Sequence, residues 1–139
     1  MTETCEDPEV IIRLQRLTFE RQGESFPADQ EREMRQVIAG LIKNERATYL
    51  VTKKDEAVCS ASFFTWDKKC AYYLFGASNP ELRNTQSGTL NLYDAFEQLF
   101  KMGIPSVDVC GVNSPQRGFF KLSFGANLIP YFCTKKESA

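Results

Sequence analysis

The sequence predicts an α/β fold, a mixed sheet flanked by helices. Three observations carry this. Three stretches repeat apolar residues at helical spacing. Between the second and third lies a run of three strands joined by short polar turns. After the third helix comes another apolar strand, so a strand, a crossover helix and a strand follow one another and imply one parallel, right-handed pair.

Element by element, Asp7-Pro8 reads as an N-cap followed by proline at the first helical position. Val10, Ile11, Leu14 and Leu17 then share a face, and Gly23 suits the stop. A second helix follows Pro27-Ala28-Asp29, with Met34, Val37, Ile38, Leu41 and Ile42 on one stripe. Ala47–Lys53, Ala57–Trp66 and Cys70–Ala77 are strand-like. The turns Lys54-Asp55-Glu56 and Asp67-Lys68-Lys69 make them antiparallel neighbours. The third helix spans about Ser87–Met102, with Leu92, Ala95, Phe96, Leu99 and Phe100 in phase and Gly103 as its break. A strand from Ser106 to Val112, a short helix near Gln116–Ser123 and a last strand near Asn127–Cys133 complete the order ααβββαβαβ. The aromatic stripes Phe63, Phe64, Trp66, Tyr72, Tyr73 and Phe75 are most simply sheet core and cross-strand pairs. Thr134–Ala139 is expected to fray.

With 139 residues the chain is expected to be one domain, residues 1–139. Its net charge of −1 gives no case for broad nucleic-acid or membrane binding. Five cysteines form no CxxC pair and there is no histidine. A His-dependent nucleophile is excluded, and a Cys/His zinc site or any other metal is unsupported. Cys59, Cys70, Cys110 and Cys133 read as small buried hydrophobes in a reducing compartment. No signal peptide or membrane-length apolar run is present, so a cytoplasmic location is expected.

Two charges stand out near the end. Asp108 lies among apolar neighbours in Val107–Val112, where a carboxylate is costly unless paired, hydrogen-bonded or used. A structural paired carboxylate is nearly as good a reading as a functional one. Lys121 sits in Phe119-Phe120-Lys121-Leu122-Ser123-Phe124-Gly125. Taken alone it reads as a surface lysine whose stem covers rings.

The arrangement resembles the GNAT N-acyltransferase fold, in the version used by Fem-like peptidoglycan aminoacyltransferases and their acetyltransferase relatives. Asp108, Gly111 and Val112, then Phe120, Lys121, Phe124 and Gly125, carry the resemblance. Ala71–Ser78, Arg83 with Gln86-Ser87-Gly88-Thr89, and Phe19–Gly23 extend it over nearly the whole chain. The resemblance implies a GNAT-like mixed sheet with its first strand missing, and further chain, a second domain or a homodimer as company.

It also implies an acyl-coenzyme A co-substrate, acetyl-CoA or another. Helix N-termini bind phosphates through free N–H groups. The coenzyme's pyrophosphate would therefore meet Arg83, Gln86, Ser87, Gly88 and Thr89. The spacing of Arg83 and Gly88 departs from the family pattern, and a loop capped by Ser87 accounts for these residues equally well. Gly76 and Ala77 would leave room for the pantetheine arm where two parallel strands splay. Asn113 roughly matches an asparagine that touches the coenzyme. Arg21, Gln22 and Glu24 would select the amine acceptor. Lys121 would stabilise negative charge, Asp108 would act as base or orient the amine, and Tyr131 would substitute for a family tyrosine acid whose place Phe119 takes, although Tyr131 reads more simply as a half-buried strand tyrosine. The function implied is acyl transfer to a primary amine. The alternatives are a Fem-like aminoacyltransferase using aminoacyl-tRNA, or a catalytically silent domain.

Overall fold

The computed structural model describes residues 1–112 and 114–136. Its elements are β1 (Thr2–Thr4), α1 (Pro8–Arg21), α2 (Ala28–Lys43), β2 (Ala47–Lys54), β3 (Ala57–Trp66), β4 (Ala71–Ser78), a 3₁₀ turn (Pro80–Thr85), α3 (Ser87–Lys101), β5 (Val107–Asp108) and α4 (Pro115–Leu122). The strands form one sheet in chain order. All neighbours are antiparallel except β4 and β5, which run parallel with α3 crossing between them, as the crossover argument requires.

The sheet packs a core on each face. On one, Ile11, Ile12 and Leu14 of α1 and Met34 and Ile38 of α2 close over Tyr49, Val51, Ala61 and Phe63. On the other, Leu92, Ala95 and Leu99 of α3 cover Leu50, Phe64 and Ala71. Burying each large apolar side chain here contributes about 1.5–3 kcal/mol. The predicted cap of α1 is present: the Asp7 carboxylate accepts from Glu9 N–H at 2.9 Å, with Pro8 at the first position. The Tyr49 phenol donates to Asp7 C=O at 3.0 Å and accepts from Ile11 N–H at 3.1 Å, tying that cap to the sheet.

Three expectations about strands need correction. The sheet's first strand is present, as β1. It is a three-residue polar edge strand held by the Thr2–Thr52 hydroxyl pair and the Glu3–Lys53 ion pair. Short charged edges of this kind carry no apolar alternation to be recognised by. The strand expected over Ser106–Val112 stops after Asp108. Residues 127–133 form no strand. Leu128, Ile129, Tyr131 and Phe132 are 65%, 84%, 79% and 92% exposed, so no packing rewards their β-propensity. Cys59 and partly buried Cys70 fit the small-hydrophobe reading, whereas Cys110 and Cys133 are exposed; all five cysteines are free.

Candidate active site

The β3–β4 ladder shifts register between Phe63 and Phe64. Phe63 pairs with Phe75 and Phe64 with Tyr73, leaving Leu74 as the extra residue. A bulge reverses the alternation of side chains beyond it. Ala71 and Tyr73 accordingly pack on the α3 face, while Phe75 and Ala77 pack on the α1–α2 face. This one irregularity sends Tyr73 and Phe75, which a regular strand would place on one face, to opposite faces of the sheet. The sequence hides it, because Tyr72-Tyr73-Leu74-Phe75 is apolar throughout.

On its other edge β4 pairs with β5 only at Ala71–Val107 and Tyr72–Asp108. From Tyr73 onward that edge has no strand partner among the described residues. The cause is local. The Asp108 carboxylate accepts from Cys110 N–H at 2.7 Å, and Cys110 turns into the left-handed region at φ 59°, which ends the ladder. Asp108 is thus an exposed turn former, not a carboxylate buried among apolar residues.

Across this cleft stands α4, capped by Ser114 with Pro115 at its first position. Lys121, in its last turn, donates to Gly111 C=O at 2.7 Å and lies 5.7 Å from the Tyr73 ring centroid. Burial, with Arg117 nearby, pulls its ammonium below the usual lysine range, against the opposing pull of Cys110 and Asp108. Lys121 therefore braces the segment after β5 and brings a positive charge to the cleft. The Cys110 thiol is pushed up, first by burial and then by Asp108.

Tyr73 is the residue sequence reasoning passed over as core. Its ring stacks on Phe64 at 5.0 Å, and burial pushes its phenol up to about 12, so it keeps its proton at neutral pH. The phenol makes no hydrogen bond among the described residues. It lies over Gly76, where a Cβ would sit 1.6 Å from Tyr73 Oη. Gly76 therefore makes room for this phenol. Ser62 pairs across from Gly76, and the hydroxyls of Ser60 and Ser62 are buried without a partner among the described residues. Buried polar groups of this kind call for a ligand or an ordered water.

The N-terminus of α3 meets the same end of β4. An added Cβ on Gly88 would lie 3.3 Å from Ser78 Oγ and 4.0 Å from Phe120. Gln86, at φ 55°, is the N-cap in place of Ser87, and no side chain caps the helix. Thr89 and Leu90 N–H both reach Gln86 C=O, which leaves the Ser87 and Gly88 N–H groups without partners among the described residues. Ser87 is buried, and Arg83 is exposed in the preceding 3₁₀ turn. An open helix start beside a cation fits an anionic group.

Of the remaining expected site residues, Arg21, Gln22 and Glu24 are exposed at the end of α1. The aromatic residues flanking them, Phe19 and Phe26, line a cavity of about 550 Å³ closed by Phe75 of β4. Tyr131 lies in the irregular segment after α4, 79% exposed. Asn113 lies outside the described residues. No group of three or more potential metal ligands occurs among the described residues. Among them, too, no helix is long and apolar enough to cross a membrane.

Solved structures with the same fold cover nearly all of this chain at low identity. A predicted acetyltransferase from Clostridium acetobutylicum, with acetyl-CoA, superposes with a TM-score of 0.75 at 11% identity, over 98% of this chain and 96% of that one. Glucosamine-6-phosphate N-acetyltransferase from Arabidopsis thaliana gives 0.67 at 11%, over 99% and 98%. An acetyltransferase from Trypanosoma brucei gives 0.66 at 13%, over 99% of each chain. None of the curated proteins matches the chain. The model of the acetyltransferase (GNAT) domain matches residues 1–121. With most of its length matched, and with a mixed sheet splayed beside an open helix start, this chain belongs to the GNAT acetyltransferase domain family.

Proposed function

We propose that the protein transfers an acetyl or related acyl group from acyl-CoA to a primary amine. The observation that carries the reading is the edge of β4 from Tyr73 to Ser78, which has no strand partner among the described residues and ends against the uncapped start of α3. A peptide-like pantetheine arm can hydrogen-bond to such an edge, and a pyrophosphate suits free helical N–H groups beside Arg83. The residues present therefore fit the co-substrate: Gly76, Ala77 and Ser78 along the arm, and Arg83, Gln86, Ser87, Gly88 and Thr89 at the phosphates. Bound there, acyl-CoA supplies an activated thioester.

The chain supplies the rest. Transfer makes one N–C bond and breaks one C–S bond. Of the two protons an ammonium sheds, one goes to solvent and one to sulfur. Tyr73, protonated at neutral pH, with its phenol over Gly76 and its ring beside Lys121, is the group to deliver the latter. Lys121 brings positive charge against the negative charge that develops during transfer. Asp108 shapes the turn at Cys110 that holds the cleft open. Tyr131, exposed in the segment after α4, is the weaker candidate for the proton donor.

Acyl-CoA is favoured over aminoacyl-tRNA as donor because the net charge is −1, whereas tRNA binding relies on basic surface. The Fem-like branch rests on the Phe120–Gly125 match. The five free cysteines support a reducing, cytoplasmic setting.

Calorimetry of the chain with acetyl-CoA, then with an aminoacylated minihelix RNA, tests the donor. Saturable binding of acetyl-CoA is expected. Binding of the RNA alone would replace this reading by the aminoacyl-tRNA one. Binding of neither would leave a catalytically silent module.

A further inference from the structure

The cavity between α1, α2 and β4 has a chemistry that names its occupant. Its walls are Phe19 and Phe26, with ring centroids 5.0 Å apart, Met34 and Val37 of α2, and Phe75 of β4. About 550 Å³ lies within the usual range for small-molecule sites. Phe75 is the residue next to the Leu74 bulge and packs against Phe63, so the cavity's floor is the strand that faces the donor cleft on its other side. Gln15 of α1 donates to Gly76 C=O at 3.2 Å, which holds the wall to that strand.

Among the described residues, Glu33 is the single charged side chain lining this space, and it has no ion-pair or hydrogen-bond partner there. The nearby arginines are engaged elsewhere: Arg16 on Glu31, and Arg35 on Glu9 and Glu31. The space thus offers one carboxylate, several rings, the amides of Gln15 and Gln30, and no cation.

We propose that this cavity is the acceptor site and that it takes an amine carried on an apolar, aromatic-sized body, its ammonium drawn to Glu33. This inference rests on the acyl-transfer reading and adds the substrate class. An acceptor bearing phosphate or carboxylate would meet Glu33 with no compensating cation. A polyhydroxylated one would lose water against phenyl rings, with only the amides of Gln15 and Gln30 and the Glu33 carboxylate to replace its many hydrogen bonds.

The experiment uses 2-phenylethylamine, spermidine and glucosamine 6-phosphate as acceptors with acetyl-CoA, products being read by mass spectrometry. Binding of acetyl-CoA is followed separately by calorimetry, and seating of 2-phenylethylamine by shifts of the Phe19, Phe26 and Phe75 ring resonances. kcat/KM for 2-phenylethylamine is expected to exceed that for either polar amine by about tenfold or more, the scale of a filled apolar pocket. Glu33→Gln should raise its KM while leaving acetyl-CoA affinity unchanged. Phe26→Ala should do the same for KM by opening the wall. Acetyl-CoA binding without any seating of 2-phenylethylamine would overturn the acceptor class and leave the acyl-transfer reading standing. Seating of the amine without acetyl-CoA binding would overturn the acyl-transfer reading and, with it, the acceptor role. A preference for glucosamine 6-phosphate, or a Glu33→Gln protein with unchanged KM, would overturn the inference.

Discussion

The two edges of β4 differ in how they use the same backbone. Toward β3 the strand pairs along nearly its whole length, from Ala71–Trp66 to Ser78–Ser60, with a single bulge. Toward β5 it pairs at two positions and has no further strand partner among the described residues. One edge spends its N–H and C=O groups on the fold and supports buried Phe63 and Phe64, both 0% exposed. The other has no strand partner beyond Tyr72 among the described residues, and one of its carbonyls, Gly76, is held by the side chain of Gln15 instead. Stability and binding are thus drawn from opposite sides of one strand. Mutations on the β3 side should cost folding, and mutations on the β5 side should cost ligand or turnover.

The largest expected effect is on the folding side. Phe63 touches both Tyr49 and Phe75 and is fully buried, so Phe63→Ala should lower stability by about 3–5 kcal/mol in urea titration. Phe120, partly exposed on α4, should cost far less when truncated. Equal losses at the two positions would break the comparison.

Next comes turnover. If Tyr73 delivers the proton to sulfur, Tyr73→Phe should reduce kcat by about 10²-fold or more, with acetyl-CoA affinity and melting temperature held. The phenylalanine keeps the stack on Phe64. Lys121→Met, which retains the apolar stem, should fall by roughly 10²-fold if the ammonium meets developing charge. A change confined to donor affinity would mark Lys121 as a binding contact, and no kinetic change would reduce it to a brace on Gly111.

Smaller again is the phosphate end. Arg83→Ala should weaken acetyl-CoA binding by about 1–3 kcal/mol, the cost of one charge-assisted bond. Gly88→Val should weaken it as well, since even a Cβ there would press on Ser78 Oγ at 3.3 Å. Wild-type affinity in both would remove the loop from the site.

How much of this could be read in the residues follows the same division. The paired side was legible: the Asp7-Pro8 cap, the three-strand meander and the parallel crossover all rest on apolar periodicity and turn chemistry that the chain states openly. Gly88 was legible as the opening of α3 beside the end of β4, while its contact with a phosphate belongs to the proposal. The unpaired side was not. Asp108 was expected in a longer strand because Val107–Val112 is apolar, but its own carboxylate turns the chain at Cys110. The bulge at Leu74 leaves no trace in a run of aromatic residues, so Tyr73 and Phe75 could not be assigned to opposite faces. Phe19 and Phe26 flank the polar residues expected to choose the acceptor, and it is the rings that line the cavity.

The smallest effect sharpens the comparison from the acceptor side. Glu31 accepts from both Arg16 and Arg35, and Arg35 also holds Glu9, so four charges tie α1 to α2. The two guanidinium hydrogen bonds hold the Glu31 carboxyl down at about 2, below its ordinary value of 4.5. A depressed carboxylate contributes stability that is present above its unfolded value and lost as pH falls through the folded one. The window is therefore pH 4.5 down to about 2. Both arginines are roughly two-fifths exposed, and pairs of that kind are screened by water and salt, so the contribution is small. In urea titrations at low ionic strength, wild type should lose midpoint across this window more steeply than Glu31→Gln. Added salt should shrink the difference. Parallel acid limbs for the two proteins would show that α1 and α2 are held together by apolar packing such as that of Ile11, Met34 and Ile38, and that the four charges between them add nothing measurable.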